Sequence, residues 1–426
     1  MMTLLTETHL ERAIAAGQHL DAAAKPLRVL SSVGWDDTLR EKFLQDGLLP
    51  TPQYPSVDMS SSLEAIASAR KALEGDHPVF AWLRRIADAL ENTVHMMAAR
   101  GTPEFTGHSI ALYGCPTCTL LDGSTRVIDM ARHLDAVLED VETAELMLDG
   151  AEESLSAQDF AQRLTTRLGP HFGDMAPKVE LWDTLSAKAL AGPRRIRVRA
   201  SARFTARDVD QLLQHEALIH VATSLNGRAQ DSFPILGRAH AGTTEVQEGL
   251  AVFAEIISGA IDPNRFRRLA DRVIAIQMAL DGADFKEVFD FYHARTDDPD
   301  QSYENTRRVF RGGVVSGGAP FTKDMVYLNG LLRVHNFLRT VVSLKRADLI
   351  PLLFVGKLDI EDIPALPSLM QSDHLSRPRF MPDWIKDQRF LVSYLAYSSF
   401  LNQVKLPGFQ AYYKEALAGV ERVSQK

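Results

Sequence analysis

The stretch His215-Glu216-Ala217-Leu218-Ile219-His220 sets the tightest limit on how this chain folds. It lies in a run with helical spacing of apolar residues, from Val209 through Leu212 and Leu213 to Val221. Both imidazoles and the carboxylate therefore belong to one helix. Two neutral imidazole nitrogens and a carboxylate are what a hydrolytic metal site needs: ligands for the ion and a base for the water it activates. The spacing is one residue longer than His-Glu-x-x-His. Each residue of an α-helix turns about 100°, so histidines four apart lie about 40° apart and share a face, whereas histidines five apart diverge by about 140°. A π-bulge, with its i→i+5 bond, restores the shared face. The motif thus predicts a distorted helix between Glu216 and His220.

A catalytic zinc site takes three protein ligands and leaves one position open. Glu248, near the start of the next helical run, is the candidate third ligand, and the small Gly249 and Ala251 beside it permit two helices to approach closely. Glu255 falls seven residues on, roughly on the same face, where it would orient a ligand histidine. His240 is a rival third ligand, but it reads as a loop residue.

The surrounding pattern is mainly helical. Phe80, Trp82, Leu83, Ile86, Leu90, Val94 and Met97 recur at helical spacing until Gly101 and Pro103 stop the run. Residues 125–149 return to helix after Asp122-Gly123. Thr205 and Asp208 form a helix start like a capping box. Asn226-Gly227 reads as the stop of the histidine-bearing helix, and a second helix starts near Thr244 and runs to Gly259. The last hundred residues read as helices, including 390–404 and one near 410–422. Pro193 precedes an alternating strand, Arg195-Ile196-Arg197-Val198-Arg199, with its three arginines on one face. That face is either the solvated side of an edge strand or a cleft wall facing an acidic peptide. The expected class is α+β, predominantly α-helical, with a mainly helical region over 1–175 and a catalytic region over 176–426.

The two cysteines, Cys115 and Cys118, stand in Cys-Pro-Thr-Cys. A redox pair and half of a zinc ribbon both fit that spacing. No second ligand pair stands at a suitable distance, and the plainest expectation is two ordinary thiols in a turn. With a formal net charge of −8, the 426-residue chain lacks the basic excess of a nucleic-acid-binding surface. No run reaches the roughly 18 apolar residues of a membrane span. Glu7, Glu11 and Asp21 interrupt the start of the chain, unlike a signal peptide. The expectation is a cytoplasmic protein that binds neither nucleic acid nor membrane; its oligomeric state is not legible.

Gln247-Glu248-Gly249-Leu250-Ala251, following His-Glu-x-x-x-His, resembles the QEGLA-motif family. Its bacterial members are labelled flavohaemoglobin expression-modulating proteins, and its eukaryotic relatives are microtubule-associated tyrosine carboxypeptidases. A third block matches as well: Arg311-Gly312-Gly313 followed by Phe321-Thr322-Lys323-Asp324-Met325-Val326-Tyr327-Leu328-Asn329-Gly330. The resemblance runs from about Leu112 to the C-terminus. It implies a zincin-like metallopeptidase with Zn2+ on His215, His220 and Glu248, and Glu216 as general base. Strand 195–199 then falls where related peptidases pair with extended substrate.

Within that reading Tyr327 is the candidate oxyanion donor, with Tyr303 second. Arg311, supported by Lys323, is the candidate fork for a terminal carboxylate. The alternatives for these residues are a structural ion pair for Arg311 and a core position for Tyr327. The implied substrate is the C-terminal tail of a peptide or protein. A zinc amidase, an endopeptidase and a non-catalytic regulatory binding protein are the competing readings.

Overall fold

The computed structural model describes residues 5–139, 154–183, 185, 188–192, 194–401 and 406–416. Helices dominate. Numbering only the α-helices of seven residues or more, they are α1 (Glu7–Ala24), α2 (Asp37–Asp46), α3 (Ser60–Ala72), α4 (Pro78–Ala98), α5 (Glu104–Tyr113), α6 (Val127–Glu139) and α7 (Ala157–Phe172). After the sheet come α8 (Ala206–Leu212), a π-helical segment (Leu213–Val221), α9 (Ala222–Arg228), α10 (Ala241–Ile257), α11 (Pro263–Leu280), α12 (Phe285–Thr296), α13 (Pro299–Phe310), α14 (Met325–Ser343), α15 (Arg389–Leu401) and α16 (Leu406–Ala416). Of the helices expected from the sequence, residues 140–149, 402–404 and 417–422 lie outside the described residues. Among the described residues no helix is long and apolar enough to cross a membrane.

Helix α4 shows why these segments fold as they do. His77 caps it, accepting from the Val79 amide at 3.2 Å, and Pro78 occupies the first turn, where no amide hydrogen is needed. Phe80, Trp82, Leu83, Ile86, Leu90, Val94 and Met97 are all buried. Most of that face enters a core that also draws on α1, α10, α11 and α14. A second core, from Leu155 to Leu225 with Phe380, packs α7 and α8 under the sheet.

The sheet has three strands in the order β1-β3-β2: β1 (Lys178–Trp182), β2 (Ala189–Gly192) and β3 (Arg195–Arg199). β3 runs parallel to β1 and antiparallel to β2. The strand at 195–199 is therefore central, not an edge, because both its sides are paired. Alternation holds: Ile196 and Val198 are fully buried and the three arginines face outward, Arg197 stacking at 4.3 Å over Trp182.

Asn226-Gly227 occupies the last turn of α9, which ends one residue on at Arg228, as expected. Asn226 donates to the Phe354 and Phe380 carbonyls and accepts from the Arg379 and Phe380 amides. A Cβ on Gly227 would stand 2.0 Å from the Leu236 oxygen. The pair marks tight packing as well as the helix end. Helix α10 begins at Ala241, one turn before Thr244. Cys115 and Cys118 are joined as a disulfide, not left as two thiols; a turn returning the Cys118 amide to the Cys115 carbonyl brings them together.

Candidate metal centre

The segment carrying the histidines is π-helical over nine residues, Leu213–Val221, wider than the single bulge the spacing called for. Thr205 and Asp208 start the preceding helix with a reciprocal capping box. The i→i+5 winding brings His215 and His220 to the same side, with ring centroids 5.0 Å apart.

Helix α10 supplies the carboxylate opposite. Glu248 Oε2 lies 3.4 Å from His215 Nε2 and 3.6 Å from His220 Nε2. Ligand bonds of about 2.0–2.1 Å at a tetrahedral ion place donor atoms about 3.3–3.4 Å apart. The two observed separations match that within a few tenths of an ångström, so the group fits a metal ion. The charges around it also fit. Burial pushes the Glu248 carboxyl up, but His215 and His220 outweigh it and Lys323 adds to them, leaving it well below the usual range.

His215 is held from behind. Its Nδ1 is 2.6 Å from Glu255 Oε1, and Arg265 donates to both oxygens of Glu255 at 3.0 and 3.1 Å. Glu255 is fully buried. Burial alone would raise its carboxyl; Arg265 and His215 bring it down to about 2. Burial likewise lowers His215, but hydrogen bonds to Glu248 and Glu255 raise it to about 10.

Glu216 points toward the sheet. Its Oε2 accepts from the Ala191 amide of β2 at 3.2 Å, so it stands beside the His215–His220–Glu248 group without belonging to it.

The other candidate residues divide. Lys323 is close enough to act on Glu248, and its Nζ lies 5.7 Å from the Tyr327 ring. Tyr327 is half-buried, with Arg272 stacked at 4.1 Å and Arg308 donating to its hydroxyl at 3.4 Å. Arg311 lies over the Phe321 ring at 5.9 Å and has no ion pair among the described residues, so the structural ion-pair alternative does not hold. Burial, then Arg308, push it down to about 10. Tyr303 is in the core: it is 1% exposed, between Phe43 and Phe285, and its hydroxyl has no partner. His240 precedes α10 and lies outside the triad.

Sequence reasoning missed several neighbours. Asp324, inside the third block, is buried and pairs with Arg308 at 2.6 and 2.9 Å and with Arg272 at 3.7 Å. Arg265, Arg268 and Arg272 repeat at helical spacing along α11, a signal that was readable. Lys357 is buried behind the site; burial pushes it down to about 8, while Glu248 and Glu216 draw it back up.

Fold and site together define a mostly helical α+β protein with a two-histidine, one-glutamate group able to hold a metal ion. The chain belongs to the microtubule-associated tyrosine carboxypeptidase family, whose model matches residues 41–403. Membership in a carboxypeptidase family implies a peptidase-type hydrolase acting on a peptide or protein. No curated protein matches the chain. Among solved structures, a protein from Colwellia psychrerythraea described as a lipoprotein is similar at 12% identity with a TM-score of 0.43. The match covers 79% of this chain and 66% of that one, so the chain spans about two thirds of that protein's length. A likeness at that level carries no argument about function.

Proposed function

We propose that this protein is a zinc-dependent carboxypeptidase with a zincin-like core, removing a residue from the C-terminal end of a peptide or protein tail. The observation that carries the proposal is the spacing of His215 Nε2 and His220 Nε2 around Glu248 Oε2, with Glu216 left outside the ligand group. Two imidazoles and one carboxylate suit zinc in a tetrahedral site with one open position. Zinc bound there supplies Lewis acidity, activating water and polarising the scissile carbonyl.

The chain's residues do the rest. Glu216 takes a proton from the attacking water and delivers it to the leaving amine. Its bond to the Ala191 amide holds the carboxylate toward β2. Tyr327 donates its hydroxyl hydrogen to the developing oxyanion; the bond it accepts from Arg308 leaves that hydrogen free. Arg311 and Lys323 hold the terminal carboxylate, and Arg272, stacked on Tyr327, adds positive charge. Tyr303, buried among aromatic rings, takes no part. Since β3 is central, an extended substrate pairs instead along β2, whose Ala191 amide faces Glu216.

The test compares peptides with free and amidated C-termini, digested by the zinc-loaded protein and read by mass spectrometry. Loss of single C-terminal residues from free-acid peptides only is the expected result. Equal cleavage of both sets removes the carboxypeptidase reading in favour of an endopeptidase or amidase.

A further inference from the structure

Lys357 is an unusual residue to bury. It is 7% exposed and has no ion pair among the described residues. An uncompensated ammonium in the interior costs several kcal/mol, and a methionine of similar length would fill the same space without that cost. Its backbone is tightly fixed. The Lys357 amide donates to the Leu236 carbonyl at 2.7 Å, and a Cβ on the preceding Gly356 would meet the Leu236 oxygen at 2.7 Å and Gly227 Cα at 3.2 Å. Only a glycine lets this segment run so close to α9.

The ammonium hydrogens go to three neutral oxygens. Nζ lies 3.3 Å from the His220 carbonyl, 3.4 Å from Thr223 Oγ1 and 3.0 Å from Gln247 Oε1. Thr223 closes the group, with its Oγ1 2.7 Å from the Ile219 carbonyl and 2.8 Å from Gln247 Oε1. These acceptors are not scattered. One is the backbone of a candidate ligand on the π-helical segment; another is the side chain immediately before the candidate ligand Glu248 on α10.

We propose that Lys357 is a positioning residue for the metal centre, clamping the π-helical turn that carries His220 to the turn of α10 that carries Glu248. It touches neither metal nor substrate. It sets the separation between two donor atoms by holding the backbone behind one and the side chain beside the other. Gln247 is its acceptor on α10, which gives the first residue of Gln247-Glu248-Gly249-Leu250-Ala251 a physical task.

The inference rests on the metal-site reading, and its experiment separates the two. Zinc affinity is measured by competition with a chromophoric chelator for the full-length wild type, Lys357→Met, Lys357→Arg and Gln247→Leu, and the melting temperature of each metal-free protein is recorded. The wild type binds one zinc. Lys357→Met weakens zinc binding about ten- to a hundred-fold, the range for partners that orient ligands, and Lys357→Arg restores part of the loss. Metal-free Lys357→Met melts at or above the wild-type temperature, because an unpaired buried charge has been removed. A purely structural lysine gives the opposite pattern, lower melting with unchanged zinc affinity, and that result overturns the proposal. Should Lys357→Met not fold, wild-type zinc affinity in Gln247→Leu overturns it equally. A wild type that binds no zinc removes the metal-site reading, and this inference with it.

Discussion

Glu255 holds His215 from the side away from Glu248: the Nδ1–Oε1 distance is 2.6 Å, while His215 Nε2 faces Glu248 at 3.4 Å. Once a metal has displaced the proton on Nε2, this contact would hold the tautomer a ligand needs, with the Nδ1 hydrogen donated to Glu255. Arg265 on the far side of Glu255 keeps that carboxylate ionised.

Replacing Glu255 is therefore expected to damage both binding and folding. Glu255→Gln weakens zinc affinity about ten- to a hundred-fold. It also leaves Arg265 without its charge partner, at a cost of about 3–5 kcal/mol. Chemical denaturation of the metal-free variant measures the second effect. The wild-type contribution has a defined pH window. The Glu255 carboxyl is depressed to about 2 in the fold, so its stabilisation is complete above its ordinary value and is lost as pH falls through about 2. Acid unfolding of Glu255→Gln should lack that component.

Zinc affinity should rise with pH. In the metal-free protein His215 is raised to about 10, so it carries a proton at neutral pH that a metal must displace. Release of one proton predicts about a tenfold gain in affinity per pH unit between about pH 6 and 8. A competition titration that is flat over this interval would contradict the protonated state assigned to His215.

Glu216→Gln should separate metal binding from chemistry. Glu216 stands outside the ligand group and keeps an amide donor from Ala191. The expected outcome is full zinc occupancy by metal analysis with kcat reduced about 10²- to 10⁴-fold. Native turnover in this variant, on a substrate the wild type cleaves, would reassign the base.

Gly249→Ala should destabilise the whole protein. A Cβ at Gly249 would stand 2.1 Å from the Gly330 carbonyl carbon, and one at Gly330 would stand 2.2 Å from the Glu245 oxygen. Backbone cannot yield as a side-chain tip can, so the loss should reach at least about 2 kcal/mol. Urea unfolding at fixed pH reads it. A neutral result would mean the two helices separate more easily than their packing indicates.

Much of this architecture was legible because it depends on local periodicity. The helix at 78–98, the capping pair Thr205–Asp208 and the need for π winding all follow from residue spacing along one element. The meeting of Glu248 with His215 and His220 was also accessible, since a catalytic site needs a third ligand and Glu248 stands on the next helix, but the close approach at Gly249 is to Gly330 of α14 and not to the histidine segment. What escaped was tertiary. Whether Arg195–Arg199 is an edge or a central strand depends on β1 and β2, each five residues or shorter and only partly buried. Tyr303 and Tyr327 look alike in sequence, yet one is enclosed by Phe43 and Phe285 and the other by three cations. Lys357 lies more than a hundred residues from the oxygens it serves, and nothing local marks it.

The glycine contact between α10 and α14 has a consequence for adaptability. Glu248 adjoins Gly249 and Tyr327 lies one turn before Gly330, so both side chains project from a crossing with no room to slide. That side of the site behaves as an anvil. Any adjustment to a bound chain then falls to the opposite side, where the short β2, the end strand of the sheet, rests against Glu216. Divergence in substrate choice within the family should accordingly concentrate around β2 and leave the glycine crossing untouched.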